Sequence, residues 1–216
     1  MTTSETIKTY GDEIMIVAKG SGKPLVVVFS SVNSNGFSFY RQFADYDVNK
    51  IFVRDIADNR YQRGTGKETT SFEELLERLR AEIAELAPSR LVTFGTSMGG
   101  YAAIALGNLL DADGIVASSP QTILDPRLPH TPSENHSGKP YFDLRELLGG
   151  PIADRRHIIF FGCDDTVDVF NVSRMPWYQC QTVAVAHQDH LAAVMLAKAG
   201  EYERAIDACF RREPYL

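Results

Sequence analysis

The chain has 216 residues, 44% of them hydrophobic, which is enough for one sizeable core and short for two, so a single domain over residues 1–216 is expected. A formal net charge of -6 argues against a nucleic-acid partner, because phosphate backbones are held by clustered Lys and Arg. No run approaches the roughly eighteen apolar residues that a membrane span needs, and the polar start MTTSETIKTYGDE lacks the apolar segment of a secretory signal. The expectation is therefore a cytoplasmic protein without a membrane span.

In chain order, EIMIVAKG reads as a strand, KPLVVVFSS as a buried strand and VNKIFVRD as another. SFEELLERLRAEIAEL reads as a helix. Ser71 is its N-cap, Glu74 completes a capping box, and Leu75, Leu79 and Ile83 fall on one face. RLVTFG is strand-like, MGGYAAIALGNLL helix-like and DGIVASSP strand-like. From Gln121 to about Gly150 the rhythm breaks into a stretch rich in Pro, Gly, Ser and His, with one short helical candidate near Asp143 to Leu148. A connection of that length is usually functional or disordered. RHIIFFG and QTVAVA then read as strands, HLAAVMLAKAG as a helix ending at a glycine, and EYERAIDACFRR as a closing helix. The alternation predicts an α/β fold: a doubly wound, mostly parallel sheet of about seven strands flanked by helices, with a small loop or minimal cap at about 121–150.

Three cysteines, Cys163, Cys180 and Cys209, are an odd number without C-x-x-C spacing, as expected of reduced thiols. Cys163 is expected to be a small semi-buried filler. No H-E-x-x-H or dinucleotide glycine pattern occurs, so no metal or organic cofactor is implied.

The segment LVTFGTSMGGYAAIAL carries the chemistry. Gly95-Thr96-Ser97-Met98-Gly99 is G-x-S-x-G, and with Gly and Ser each near 7% of residues the bare pattern occurs by chance in roughly one chain of this length in fourteen. Its setting gives it weight: a strand precedes it, a helix follows, and ligands of open α/β sheets bind beyond the strands' carboxyl ends. A serine on a tight strand-to-helix turn has strained backbone angles and needs neighbours without side chains. The turn also puts the Met98 N–H at a helix N-terminus, where it can donate to a developing oxyanion.

VTFGTSMGGYAAI resembles the nucleophile elbow of the α/β-hydrolase superfamily, and the resemblance runs from the strand at Leu25 to the helix after His190. FVRDIADNRYQRG, SMGGYAAI and SSPQTILDPR are similar to short hydrolase-like domains found with glycan-assembly enzymes. The resemblance implies a serine nucleophile, then an acid, then a histidine in chain order. His130 and His136 lie in the long loop and His157 starts a strand, which leaves His187 and His190. His190 is preferred, because a helix follows it as it follows the superfamily's catalytic histidine; Asp189 then reads as a helix cap. The superfamily acid often comes three residues after a strand-ending glycine, which favours Asp165 after Gly162. Asp168 is the alternative, favoured by the glycan-associated group, and Asp125 stands third.

A second oxyanion donor is expected from the N–H of Ser31 or Val32, where Ser30-Ser31 replaces the usual His-Gly. Phe37, Tyr101 and His187 are the candidates for contact with substrate, while Arg54 and Asp55, ending their strand on the same rim, are read either as binding a polar substrate or as pairing with each other, with pairing preferred. The implied activity is a serine hydrolase acting on an ester, thioester or acetyl group of a small acyl or glycan-like substrate. The alternatives are an acyltransferase with the same residues and a non-catalytic binding or scaffold module.

Overall fold

The computed structural model describes residues 5–129, 141–148, 156–176 and 180–216. Its centre is one sheet of eight strands: β1 (Thr6–Tyr10), β2 (Ile14–Ala18), β3 (Leu25–Phe29), β4 (Asn49–Val53), β5 (Leu91–Thr96), β6 (Gly114–Ser118), β7 (Arg156–Gly162) and β8 (Cys180–Val185), in the order β1-β2-β4-β3-β5-β6-β7-β8. β1 and β2 are antiparallel, as are β2 and β4; every later pairing is parallel. The helices are α1 (Phe72–Leu86), α2 (Met98–Leu109), α3 (Thr166–Ser173), α4 (Ala192–Lys198) and α5 (Glu201–Arg211).

Alternation along β3 sends its side chains into two cores. Leu25, Val27 and Phe29 join the layer with α1, α2 and α3, and Val26 and Val28 join the layer with α4 and α5. Both faces are covered, so the parallel strands are apolar throughout rather than alternating. α1 begins at Ser71, whose hydroxyl accepts from the Glu74 N–H, as the capping box predicts. α2 is buried from Met98 to Asn108, an apolar helix enclosed on all sides.

The strand count is eight rather than about seven. The addition is β1, an edge strand whose sequence TIKTY shows no apolar face. It is anchored instead by polar contacts with α1: Glu82 accepts from Lys8 Nζ at 2.9 Å and from Tyr10 Oη at 2.5 Å. Within the 121–150 segment, residues 130–140, 149 and 150 lie outside the described residues. The described ends bury Leu124, Leu144 and Leu148 in the first core, and a short 3₁₀ turn spans Leu144–Leu147. The Thr122 N–H donates to Asn171 Oδ1 at 2.7 Å and its hydroxyl donates to Asn171 O at 2.9 Å, which ties this segment to α3. Among the described residues, no helix is long and apolar enough to cross a membrane.

Candidate functional site

At the end of β5, Ser97 adopts φ 52° and ψ -117°, a region that residues with a Cβ avoid. Neighbouring backbone holds it there. Its N–H donates to Ser118 O at 2.9 Å, and its carbonyl accepts from the Tyr101 N–H at 3.1 Å. The flanking glycines are required by space: a Cβ on Gly95 would lie 2.2 Å from Gly99 O, and one on Gly99 would lie 2.2 Å from Phe29 O. Strand and helix thus meet closely enough to lift a half-buried hydroxyl onto the carboxyl edge of the sheet.

Two edge connections bring a histidine to that hydroxyl. After β7, the Cys163 N–H donates to Val185 O at 3.1 Å and the Asp164 N–H to Gln188 O at 2.9 Å, joining the β7–α3 and β8–α4 turns. Asp189 Oδ1 accepts from the Leu191 N–H at 2.8 Å and shapes the entry to α4. His190 Nε2 lies 3.0 Å from Ser97 Oγ, and His190 Nδ1 lies 2.8 Å from Asp168 Oδ1. The Asp168 side chain is 3% exposed and that of His190 22%. The hydrogen bond to Asp168 raises the His190 pKa above its ordinary value near 6.5; burial opposes the shift, and the charges of Asp168, Asp165 and Asp189 reinforce it.

The structure thus brings together Ser97, His190 and Asp168. Asp165, the acid that the spacing favoured, has a different partner: its Oδ1 accepts from the N–H groups of Val167 and Asp168 at 2.8 and 3.0 Å, capping α3. This correction has a plain cause, since a helix begins at residue 166 and its first turn swings Asp168 toward the imidazole. The third candidate, Asp125, is held by Arg127, whose hydrogen bonds bring its carboxyl down to about 2. His157 is buried in β7, and His130 and His136 lie outside the described residues.

The other anticipated residues separate as well. The Met98 and Val32 N–H groups have no hydrogen-bond partner among the described residues, whereas the Ser31 N–H donates to Ser38 Oγ at 3.2 Å and is not available to a ligand. Tyr101 is fully buried; its hydroxyl donates to Tyr141 O at 2.8 Å and accepts from Gln62 Nε2 at 2.9 Å, so it is a brace rather than a substrate contact. Phe37 packs on Phe52 and lines a cavity with Met15, Phe39 and Tyr40 that none of Ser97, Asp168 and His190 lines. His187 is exposed on the turn after β8, with φ 56°. Cys163 is exposed rather than semi-buried. Arg54 and Asp55 do not pair: Arg54 reaches Asp12 at 3.3 Å, and Asp55 accepts backbone N–H bonds from Ala57, Asn59 and Tyr61.

Gly162 escaped the sequence reading as a site residue. A Cβ there would lie 2.2 Å from Asp189 O and 2.5 Å from Gln188 O, so its bareness lets the turn carrying His190 close over β7. Asp165, Asp168 and His190 also bring potential metal-ligand atoms within 4.8 Å of one another. The hydrogen bond between Asp168 and His190 and the helix cap at Asp165 already account for that grouping.

No protein-family model and no curated protein matches the sequence. Solved structures do match in three dimensions. The capsule O-acetyltransferase of Neisseria meningitidis serogroup A is 14% identical, with a TM-score of 0.67 over 93% of this chain and 92% of that one. FphF, a fluorophosphonate-binding serine hydrolase of Staphylococcus aureus, is 14% identical, with a TM-score of 0.61 over 92% and 96%. The glycosylation-associated Gap123 complex of Streptococcus agalactiae is 18% identical, with a TM-score of 0.64 over 98% of this chain and 47% of that one. The fold is the α/β-hydrolase fold, shared with α/β serine hydrolases.

Proposed function

We propose that the protein is a serine hydrolase of carboxylic esters, thioesters or acetyl groups, working through Ser97, His190 and Asp168. The observation that carries this reading is the continuous hydrogen-bonded chain from Ser97 Oγ through both ring nitrogens of His190 to a buried carboxylate. A serine hydroxyl is a weak nucleophile near neutral pH and needs a base at hydrogen-bond distance, which in turn needs an orienting acid.

In this reading, neutral His190 takes the Ser97 proton at Nε2 as Oγ attacks the substrate carbonyl carbon. The Nδ1–H donates to Asp168, which holds the tautomer and stabilises the imidazolium. The N–H groups of Met98 and Val32 receive the tetrahedral oxyanion. Collapse expels the leaving group, which takes the proton from His190 and leaves an acyl-serine. Water attacks this ester with His190 again as base, and the acid is released.

A second reading is acyl transfer, in which an alcohol replaces water in the last step. The likeness to a capsule O-acetyltransferase favours it. Adding an alcohol acceptor and measuring how product divides between free acid and new ester distinguishes the two. A fluorophosphonate probe tests the shared premise: the wild type labels and Ser97→Ala does not. Absence of labelling in the wild type, or equal labelling of both, would point to a non-catalytic module.

A further inference from the structure

We infer that a small cavity at the carboxyl ends of β3 and β4 is a subsite for a neutral, hydroxyl-rich ring, such as a sugar, carried by the substrate. Its link to turnover rests on the hydrolase reading above. The cavity has a volume of about 240 Å³ and is lined by Asn33, Ser34, Asn35, Arg54, Ile56 and Asp58, together with Asp55.

Its place in the sheet puts it within substrate reach of Ser97. Phe29 of β3 pairs with Val53 of β4 on one side and Gly95 of β5 on the other, so β3 and β4 end level and β5 runs one residue further. Ser97 follows β5, and the cavity lies over the connections after β3 and β4. Adjacent strands are about 4.8 Å apart, so the connections after β3 and β4 start roughly 5–10 Å to the side of the end of β5. The oxyanion-donor candidate Val32 adjoins Asn33 in sequence, so an acyl group on Ser97 and a ring in the cavity would share one continuous rim.

The lining chooses the ligand. A volume below the roughly 300 Å³ at which drug-sized pockets begin suits a single ring rather than an extended acyl chain. Nearly every wall is polar, and Ile56 is the exception, so an alkyl chain would displace water from donors and acceptors without replacing its hydrogen bonds. The side-chain amides of Asn33 and Asn35 make no hydrogen bond among the described residues, and each offers both a donor and an acceptor, which suits a hydroxyl. Asp58 accepts from the Asn33 N–H at 3.1 and 3.3 Å and fixes one wall to the other. The three backbone bonds to Asp55 hold the floor. Arg54 is drawn to Asp12 at 3.3 Å, outside the cavity, and Arg60 stands close enough to Asp55 and Asp58 to feel their charge, so among the described residues the cavity offers no unopposed cation to a phosphorylated or carboxylated ring and favours a neutral one.

Two measurements test this. The methyl glycosides of glucose, galactose and N-acetylglucosamine are titrated into the wild type up to about 50 mM, following the backbone amide resonances of Ser34, Ile56 and Asp58, which the variant below retains. At least one glycoside should give saturable shifts. These should vanish in Asn33→Gly/Asn35→Ala, in which glycine preserves the positive φ of Asn33, and glucose 6-phosphate should bind more weakly than glucose. No shift with any glycoside, the same shifts in the variant, or tighter binding of the phosphate overturns the subsite; Asn35→Ala alone serves if the double variant does not fold. For turnover, the ratio of kcat/KM for a mono-acetylated methyl glycoside to that for p-nitrophenyl acetate should fall at least about tenfold in the variant. An unchanged ratio overturns the link to catalysis. If the wild type cleaves neither ester and Ser97 does not label, it is the hydrolase reading that fails, and the glycoside titration still decides the subsite.

Discussion

Asp165 and Asp168 carry the same carboxyl group one helical turn apart, and their neighbours give them different work. Asp165 spends an oxygen on two backbone N–H groups, while Asp168 is buried against the His190 ring. Asp168→Asn removes the charge that stabilises an imidazolium and the acceptor that fixes its tautomer, and kcat should fall by about three to four orders of magnitude. Asp165→Ala removes a helix cap worth about 1 kcal/mol, which should lower the denaturation midpoint while kcat changes by less than about tenfold. Equal kinetic loss in both variants would remove the distinction. The same hydrogen bond sets a pH dependence. His190 must be neutral to act as base, and Asp168 raises its pKa, so the acid limb of kcat/KM should lie above about pH 6.5 and move down in Asp168→Asn. The stability term has the opposite sense: the charged His190–Asp168 pair stabilises fully below about pH 6.5, and that contribution is lost as pH rises through the folded-state value. Rate profiles and urea midpoints across pH separate the two effects.

At the scale of elements, the site depends on close approaches between backbones. Gly162→Ala would drive a methyl into the carbonyls of Asp189 and Gln188, displacing the turn that carries His190 rather than the core. A misplacement of about 1 Å can cost roughly a hundredfold in rate, so kcat should drop by about that factor with circular dichroism little changed. Gly99→Ala instead pushes α2 off Phe29 in the centre of the sheet, and stability should fall along with activity. If Gly162→Ala matches the wild type in kcat, the turn tolerates movement and this account of the glycine is wrong. Elements with apolar periodicity or caps were readable from the sequence: β2 to β8, the capping box of α1, the elbow before α2, and the helix after His190. β1 was not readable because it is held by Glu82 on a helix more than seventy residues away. α3 hid for a related reason. Its opening DDTVD looks like a crowd of acids until one aspartate is recognised as the cap that aims the other. The G-x-S-x-G turn was therefore enough to nominate Ser97, and chain order with the helix that follows nominated His190, while choosing between the acids required knowing where a short helix starts.

Over the whole molecule, charge decides which substrates approach easily. The chain carries a formal net charge of -6, and Asp164, Asp165 and Asp189 crowd the turns around His190. On the other side of Ser97, Asp55 and Asp58 are matched by Arg54 and Arg60, and Arg54 is itself drawn to Asp12. An anionic ester therefore meets like charge from the His190 rim as well as from the protein at large. At about 0.01 M ionic strength the Debye length is about 30 Å and this whole field acts; at about 0.15 M it shrinks to about 8 Å and only the nearest carboxylates remain. For a hemisuccinate ester, kcat/KM should rise severalfold as sodium chloride increases across that range. A neutral acetate of the same alcohol should stay nearly flat, because nothing on it couples to the field. Parallel salt responses would mean that salt acts on the enzyme itself, and a falling rate for the hemisuccinate would mean that a cationic contact outweighs the acidic rim. A flat hemisuccinate response would place the electrostatic barrier too close to the nucleophile for mobile ions to screen, and the long-range field would then have no part in selecting substrates.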